Sequence, residues 1–451
     1  MEYKIRTNAG YGFWCYILLL FCLFPFMIRN GPGIYTLLFN VCLCCCLTPV
    51  FKENPRKISS WLRENVPIMM LSLPPSLFMS YFFAYNFLFT YSSCVLGVLY
   101  YSHLVNKLLL DCPGSFTYGE AQIISQGVTL FLLHSVITLL SKLHAPFNFP
   151  VIKAIPESVL CLQILLLGTF LLVHVLCIYP NLRQGIKFFF CCIIFSCIMM
   201  LMWQVILNKN IFVWMWLYCL RNRKRVILLL WWLMSTFAAV IFVVWVNQKP
   251  NYKASTLARK YFHLIVCVVY IPGILYDLDF LRLASGIALT AFIVLEMFRI
   301  LKIPLIGPAI EDAFRVFLDE KDTGVLILTN IYLLLGCSSS VWLAGVKKYH
   351  ICLLSGIISV GLGDTAASVG GTFFGKHHWK SSKKTYEGTI CAVIVQLVAS
   401  LYFLSIGHVW STFNIVVVIL AVLFTSLLEA LTSQVDNLIL PLFMFSFFCW
   451  I

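Results

Sequence analysis

Long apolar runs recur along almost the whole chain and are separated by short polar stretches. A helix needs about 20 apolar residues to cross roughly 30 Å of hydrocarbon. The pattern predicts an all-α fold, a polytopic integral membrane helical bundle of about 14–15 transmembrane helices. The predicted spans lie near residues 12–28, 34–51, 67–83, 85–102, 121–140, 158–178, 188–207, 227–246, 261–276, 280–298, 324–344, 351–369, 389–406, 413–431 and 437–451.

Composition supports the membrane assignment. Hydrophobic residues make up 61% of the 451 residues and charged residues 11%, whereas about 25% are charged in ordinary soluble domains. No segment is long and polar enough for a separate soluble domain, so we expect the chemistry in loops or at span ends. The 19 cysteines lie mostly inside apolar runs, where thiols behave as small hydrophobes, and their spacing suggests neither zinc nor disulfides.

The net charge of +14 is carried by short connections such as RNRKR at 221–225 and the segment 376–384. Short basic loops tend to stay in the cytosol, so we expect the most basic ones there. Basic residues dispersed between spans, rather than gathered on one domain face, do not favour nucleic acid as a partner.

The distribution of ionisable residues along the chain changes near residue 250. Spans in region 1–250 contain almost no ionisable residues, which suggests a multi-span region with a lipid-binding or scaffold role, whereas region 251–451 has charged residues at and inside its spans. One exception is SFTYGEA at 115–121, where Ser115 or Thr117 is expected to cap a helix and Glu120 to favour its positive end.

Charged groups in or beside membrane spans mark a pathway or a site by default. Arg259 and His263 lie four residues apart and share a helix face, where they suit either a phosphate site or a snorkelling basic flank beside a packed histidine. Glu296 and Arg299 are expected to form an intrahelical ion pair.

The stretch between Lys302 and Asp322 has apolar residues at helical spacing, typical of an interfacial amphipathic helix. Its acidic residues suit either magnesium or, more simply, solvated surface. They are Asp319, Glu320 and Asp322.

The segment GGTFFGKHHWKSSKKTYEG, residues 370–388, matches GxxxxGK through Gly370, Gly375 and Lys376. A P-loop needs Ser or Thr where His377 stands, and it needs a strand before the glycines, whereas these glycines end a membrane span. Small residues here allow close helix packing or backbone approach to a ligand. A polyphosphate would explain the lysines, the glycines and the nearby carboxylate Asp364 together.

The last polar stretch, EALTSQVDNLILPL at 429–442, contains Glu429 and Asp436. Seven residues apart, they share a helix face if the helix continues, and they are then able to meet Asp364 across the bundle. Three buried carboxylates repel one another. A magnesium ion or the lysine-rich loop would resolve that repulsion.

Four ordered stretches resemble the dolichol kinases, the family of CTP-dependent polyprenol kinases. They are RKYFHLIVCVVYIPGI at 259–274, FLDEKDTGVLILTNIYLLLG at 317–336, GDTAASVGGTFFGKHHWKSSKKTYEGT at 363–389 and LLEALTSQVDNLILPL at 427–442. The resemblance implies a multi-pass enzyme of the endoplasmic reticulum membrane, with a cytosolic active site, that makes dolichyl phosphate and CDP from dolichol and CTP for protein glycosylation.

The resemblance also implies which residues form the site. CTP is expected on the segment from Thr372 to Glu387 and its neighbours, and a divalent cation, Mg²⁺, on carboxylates; His377 and His378 depart from the familiar pattern. The nucleotide-binding set is Thr372, Gly375, Lys376, Trp379, Ser382, Lys383, Lys384, Thr385, Tyr386, Glu387, Gly388, Arg259 and Lys260. The expected metal ligands are Asp364, Asp436 and Glu429, and the catalytic candidates are Asp364, Glu387, His263 and Asp436.

Two alternatives stay open at this point. The family also resembles phosphatidate cytidylyltransferases and CTP-dependent diacylglycerol kinases, so the lipid acceptor is less specified than the nucleotide. A transporter would likewise place charges within spans, but it predicts polar signatures in repeated halves. The polar signatures occur only in the second half, which favours an enzyme.

Overall fold

The computed structural model describes most of the chain. The described residues are 3–6, 9–30, 33–48, 67, 69–70, 72–83, 85–142, 155–247, 256–302, 306–315, 321–322, 324–344, 350–380 and 382–451.

The fold is all-α, as predicted, and no β-strand occurs within the described residues. Its helices are Leu18–Asn30, Ile34–Leu47, Leu73–Phe83, Phe87–Asp111, Tyr118–Lys142, Glu157–Ile178, Gly185–Leu207, Ile211–Leu220, Arg223–Asn247, Thr256–Tyr276, Leu278–Ile300, Ile306–Arg315, Thr329–Leu343, Thr365–Phe374, Tyr386–Gly407, Thr412–Leu431 and Asp436–Phe448. Side-chain caps begin several of them: Asn86, Asn210, Asp277, Thr385 and Ser411 each accept a hydrogen bond from a backbone N–H of the first turn.

Membrane character is evident from length and surface. In the part of the chain that the structure describes, nine helices are long and apolar enough to cross a membrane, and five shorter helices are apolar as well. Helix Arg223–Asn247 exposes Met234 and Phe237 by 70% and 67%, as expected for side chains facing lipid. The chain is therefore a multi-pass membrane protein, and its total of about 14–15 spans stays a prediction.

Three elements differ from the predicted spans. The run 351–369 forms a 3₁₀ turn Ile351–Leu354, a π-helix Ile357–Asp364 and then helix Thr365–Phe374. Helix Ile211–Leu220 was not predicted, because ten residues are too few for a search based on spans of about 20. The predicted span 324–344 is helical only from Thr329 to Leu343.

The chain forms two compact units, the first comprising Met1–Ile155, Lys321–Leu326 and Ser433–Val435. Two short segments from the second half of the sequence therefore belong to a unit built mainly from the first. Thr117 caps the start of helix Tyr118–Lys142, since its hydroxyl accepts from the Glu120 N–H at 3.2 Å. The capping role predicted for Thr117 is confirmed.

The second unit comprises Pro156–Glu320, Ile327–Thr432 and Asp436–Ile451. Here the predicted pair of Glu296 and Arg299 is confirmed, with Nη2 2.7 Å from Oε1, and Arg299 also bonds Glu311 at 2.9 Å. Glu311 lies on helix Ile306–Arg315, within the stretch predicted to be amphipathic; Asp319 and Glu320 lie outside the described residues. The division at residue 250 concerned function and stays a prediction.

Candidate active site

The site is built around Asp364, the last residue of the π-helix Ile357–Asp364. Short π-helical segments are frequent at functional sites, because they widen the helix locally. The turn before Asp364 is closely packed: a Cβ on Gly363 would lie 2.1 Å from the Gln396 amide nitrogen, and one on Gly361 would lie 2.3 Å from the Cys267 sulfur, so a larger residue at either position would have to displace that side chain. Close packing from two sides thus fixes the backbone that presents Asp364.

Two basic side chains from helix Thr256–Tyr276 meet this carboxylate. Lys260 forms an ion pair with Asp364, and His263 Nε2 lies 3.3 Å from Asp364 Oδ2. Lysine and histidine are three residues apart and therefore share a helix face. All three side chains are largely buried, so the charges of Lys260 and Asp364 depend on each other for stabilisation.

His263 also connects this group to helix Asp436–Phe448. Its Nε2 lies 3.3 Å from the Asn437 side-chain oxygen, so one ring nitrogen has two oxygen neighbours. The other nitrogen, Nδ1, is buried without a hydrogen-bond partner among the described residues. Asn437 was missed by the sequence interpretation, although its position directly after Asp436 was a usable signal.

Lys384 joins the lysine-rich loop to the final two helices. Its ammonium donates to the Glu429 backbone carbonyl at 2.5 Å and to Asp436 Oδ2 at 3.4 Å. Burial lowers the pKa of Lys384, but the negative charges of Asp436, Glu429 and Asp364 outweigh that effect and raise it. The Lys384 ammonium therefore stays positively charged at neutral pH.

Glu429 and Asp436 do not share one continuous helix. Helix Thr412–Leu431 ends at Leu431, and a new helix begins at Asp436, so the helix does not continue and the condition for a common helix face is not met. The position of Asp436 is set by the segment between the two helices and not by helical periodicity. Glu429 is buried, and it is the backbone oxygen of this residue that contacts Lys384.

The loop before helix Tyr386–Gly407 is ordered by its own contacts. Thr385 caps the helix by accepting from the Gly388 N–H at 3.2 Å, and a β-bridge pairs His378 with Thr385. The Trp379 ring packs on Tyr386 with centroids 4.1 Å apart. Thr385, Trp379 and Tyr386, which belong to the predicted nucleotide set, thus shape the loop itself.

Glu387 is bonded within this loop as well. Its Oε1 lies 2.6 Å from His377 Nδ1, and its Oε2 accepts from the His377 backbone N–H at 3.3 Å. The departure from the familiar pattern at His377 thus places a partner beside Glu387. The structure does not bring Glu387 together with Asp364 through any described hydrogen bond.

Other predicted nucleotide residues line the same loop and its approach. The Thr372 hydroxyl donates to the Ser368 carbonyl at 2.7 Å, and the Ser382 hydroxyl accepts from the Lys384 N–H at 3.1 Å. Lys376 and Lys383 are exposed. The side chain of Arg259 lies outside the described residues.

Small residues of the segment serve helix packing. A Cβ on Gly388 would lie 2.6 Å from the Ala367 carbonyl oxygen, and one on Gly370 would lie 2.5 Å from the Cys391 sulfur. Residues 370–374 are helical, so the GxxxxGK match does not form a phosphate-binding loop of the P-loop kind. Close packing, one of the two uses considered for these glycines, is therefore present.

The chain is similar to known proteins over most of its length. A family model described as dolichol kinase matches residues 90–420. The dolichol kinase of Homo sapiens is 32% identical over 375 residues, covering 78% of this chain and 68% of the human protein. Dolichol kinase EVAN of Arabidopsis thaliana is 31% identical over 391 residues, covering 77% of this chain and 66% of the plant protein. No solved structure matches the chain significantly.

Proposed function

Because this chain belongs to the dolichol kinase family, we propose that it transfers the γ-phosphate of CTP to the terminal hydroxyl of dolichol, giving dolichyl phosphate and CDP. One observation carries the proposal: Lys384, from the predicted CTP-binding loop, contacts the helix that presents Asp436. A cationic group that suits a triphosphate and a carboxylate that suits its metal therefore lie close together. Phosphoryl transfer needs mainly such positioning and charge stabilisation.

Lys384 and Lys260 are the central cations of the proposed site. In the structure their charges are balanced by Asp436 and Asp364. A bound triphosphate would offer both ammonium groups a more highly charged partner, while the exposed Lys376 and Lys383 add attraction at the rim. The order of the loop, held by the Thr385 cap, keeps Lys384 in place before CTP arrives.

Magnesium suits the carboxylates of this site. Among the described residues no group of three or more His, Cys, Asp or Glu side chains is arranged to hold a metal ion. Mg²⁺ commonly takes only one or two protein carboxylates and completes its octahedral shell with water and substrate phosphates. Asp364 and Asp436 fit that requirement, with Glu429 nearby, and the ion would neutralise charge on the phosphates.

The acceptor hydroxyl needs a group that takes its proton. Its oxygen attacks the γ-phosphorus, the bond from that phosphorus to the bridging oxygen breaks, and CDP leaves with the electron pair. We assign the proton to the Asp364–His263 pair, because these groups touch one another, whereas the third candidate, Glu387, is bonded to His377. The transfer is expected late, as in other phosphoryl transfers with loose transition states.

The membrane location follows from the proposed acceptor. A long polyprenol stays in the bilayer with its hydroxyl near the headgroups, whereas CTP is soluble. We place the lysine-rich loop at the cytosolic face of the endoplasmic reticulum membrane, in keeping with its basic charge.

The decisive experiment gives the purified protein CTP labelled in either the α or the γ position, with dolichol, diacylglycerol and phosphatidate as separate acceptors. Transfer of the γ label to dolichol supports the proposal. Transfer to diacylglycerol instead would make the chain a diacylglycerol kinase, and transfer of the α label to phosphatidate would make it a cytidylyltransferase. The variant Asp364→Asn serves as the inactive control for background label. If the protein produces no more labelled lipid than this control, an enzymatic role is refuted.

A further inference from the structure

The segment Ser433–Val435 lies immediately before Asp436 and is held by hydrogen bonds at every residue. The Ser433 carbonyl accepts from Arg6 Nη2 at 3.2 Å, and the Ser433 hydroxyl accepts from the Gly10 N–H at 3.0 Å. The Gln434 side-chain nitrogen donates to the Gly10 carbonyl at 2.8 Å. Residues near the start of the chain thus fix a segment more than four hundred positions away.

Gln434 is held from two further directions. Its side-chain oxygen accepts from the Thr117 hydroxyl at 2.6 Å, and its backbone carbonyl accepts from Lys321 Nζ at 2.8 Å. The side chain is buried, so these bonds replace water that the residue has lost. Such a segment has little freedom to move.

Glu120 completes the arrangement at Val435. Its Oε1 accepts from Arg6 Nη2 at 2.7 Å and from the Val435 N–H at 2.9 Å, while its Oε2 accepts from the Thr117 N–H at 3.0 Å. The side chains of Arg6 and Glu120 are 2% and 0% exposed. A buried charge pair of this kind is tolerated only when its remaining hydrogen-bonding capacity is satisfied, and here the Val435 N–H satisfies part of it.

A simple helix cap does not require as many hydrogen-bond partners as Glu120 has. Thr117 and Glu120 form a reciprocal capping box, because each side chain accepts from the other residue's backbone N–H. That motif works at a solvent-exposed helix start and needs neither a buried arginine nor a third backbone donor. The additional partners, Arg6 and Val435, both connect the cap to the segment before Asp436.

The position of this segment in the chain gives it a functional consequence. Asp436 follows Val435 directly, and Asn437 follows Asp436; the first contacts Lys384 and the second contacts His263. Both contacts come from the first turn of helix Asp436–Phe448. The backbone at Val435 therefore sets where that turn begins.

We propose that Glu120 is a positioning residue that acts through the Val435 N–H to fix Asp436 and Asn437 in the active site. The inference rests on the proposed function, in which Asp436 helps to hold the magnesium of CTP. Arg6 neutralises Glu120 and holds Ser433, and Thr117 holds Gln434. Residues that orient a metal-binding group from behind commonly change affinity or activity by about 10- to 100-fold when they are removed.

The test is Glu120→Gln, which keeps the shape of the side chain and removes its charge. We expect the Mg²⁺ concentration for half-maximal activity to rise about tenfold and kcat to fall about 10- to 100-fold, with KM for dolichol little changed. Hydrogen exchange at the Val435 and Asp436 amides should become faster. Arg6→Lys, which keeps the charge but has fewer donors, should give an intermediate result, and it carries the test if Glu120→Gln does not fold.

Glu296→Gln is the matched control. Glu296 is also a buried carboxylate that pairs with an arginine and accepts from a backbone N–H, that of Ile327 at 2.8 Å, but this partner is remote from Asp436 in the sequence. The variant Glu296→Gln should lower thermal stability and leave the Mg²⁺ requirement unchanged. An equal shift of the Mg²⁺ requirement in both variants, or none in Glu120→Gln, overturns the proposal.

Asp436→Asn separates this inference from the proposed function. If it leaves the Mg²⁺ requirement unchanged, the metal role assigned to Asp436 is wrong. The positioning role then still stands if Glu120→Gln lowers kcat and accelerates exchange at Val435, and it falls if exchange at Val435 is unaltered.

Discussion

Lys260 and Asp364 form a buried ion pair although 104 residues separate them in the sequence. Their side chains are 14% and 11% exposed. Burying two charges costs free energy that only their mutual attraction and further hydrogen bonds offset. The pair therefore couples helix Thr256–Tyr276 to the end of the π-helix, and it makes each residue dependent on the other.

This coupling predicts that single substitutions are worse for stability than the double one. Asp364→Asn or Lys260→Met alone leaves one buried charge uncompensated, at a cost of about 3–5 kcal/mol, whereas removing both charges should recover most of that loss. Thermal unfolding in detergent measures the effect. Additive losses in the double variant would mean that the two charges do not depend on each other.

The same substitutions should behave differently in catalysis. Asp364→Asn is expected to lower γ-phosphate transfer by about 100-fold or more while expression is retained, since both the metal and proton roles use this carboxylate. The double variant, although more stable, should stay inactive. Near-normal activity in Asp364→Asn would remove the residue from the proposed metal site.

Lys383 and Lys384 offer a comparison of two neighbours with the same chemistry. Lys384 contacts Glu429 and Asp436, whereas Lys383 is exposed. Lys384→Ala should therefore raise KM for CTP by about tenfold or more, and Lys383→Ala by only a few fold, as for a screened surface charge. Equal effects, or none in either variant, would place the triphosphate elsewhere.

The charge of Lys384 also predicts a pH dependence. Its pKa is raised above the ordinary value of 10.5, so the ammonium, and any CTP binding that depends on it, is fully present at lower pH and is lost only as pH rises through the raised pKa. CTP affinity should therefore be insensitive to Lys384 titration between about pH 7 and about pH 9. A fall in affinity over that range that Lys384→Arg removes would contradict the assignment, because arginine stays charged there.

The close packing around Gly388 predicts that a larger residue at this position is destabilising. An added Cβ would lie 2.6 Å from the Ala367 carbonyl and 3.2 Å from the Gly371 nitrogen, and backbone atoms have little room to yield. Gly388→Ala should therefore force helices Thr365–Phe374 and Tyr386–Gly407 apart and lower both stability and activity. Gly127→Ala is the control, because the same change there meets only Leu19 at 4.0 Å and should be neutral or slightly stabilising. Equal thermal midpoints for the two variants would contradict this explanation.

The residues found from sequence share one property. Asp364, Lys384 and Asp436 are charged positions next to long apolar runs, where few explanations other than a site exist. The fold class followed from the same apolar runs, because only helices satisfy every backbone group within one segment in lipid. Hydrophobic pattern and isolated charge thus identify the bundle and much of its candidate site.

Other features depend on contacts that no local pattern encodes. Glu120 was predicted to favour the positive end of a helix, and it does lie in the first turn of helix Tyr118–Lys142, but its pairing with Arg6 joins residues 114 positions apart. The break between Glu429 and Asp436 agrees with the separate spans predicted at 413–431 and 437–451, but spacing alone does not say how the segment between them places Asp436. The π-helix before Asp364 depends on close packing of Gly361 and Gly363 against other helices, which sequence periodicity does not report.

Substitutions of Glu387 and His377 distinguish two roles for Glu387, ordering the loop and accepting a proton. Because Glu387 is bonded to His377, we expect Glu387→Gln and His377→Ala to act alike, raising KM for CTP by several fold with a smaller effect on kcat, since both variants loosen the loop that carries Lys384. Steady-state kinetics with varied CTP at saturating dolichol measures the two constants. If Glu387 were instead the proton acceptor, Glu387→Gln alone would lower kcat by about 100-fold or more. His377→Ala would not reproduce that loss, so the pair of variants decides whether this carboxylate holds the loop or takes part in the chemistry.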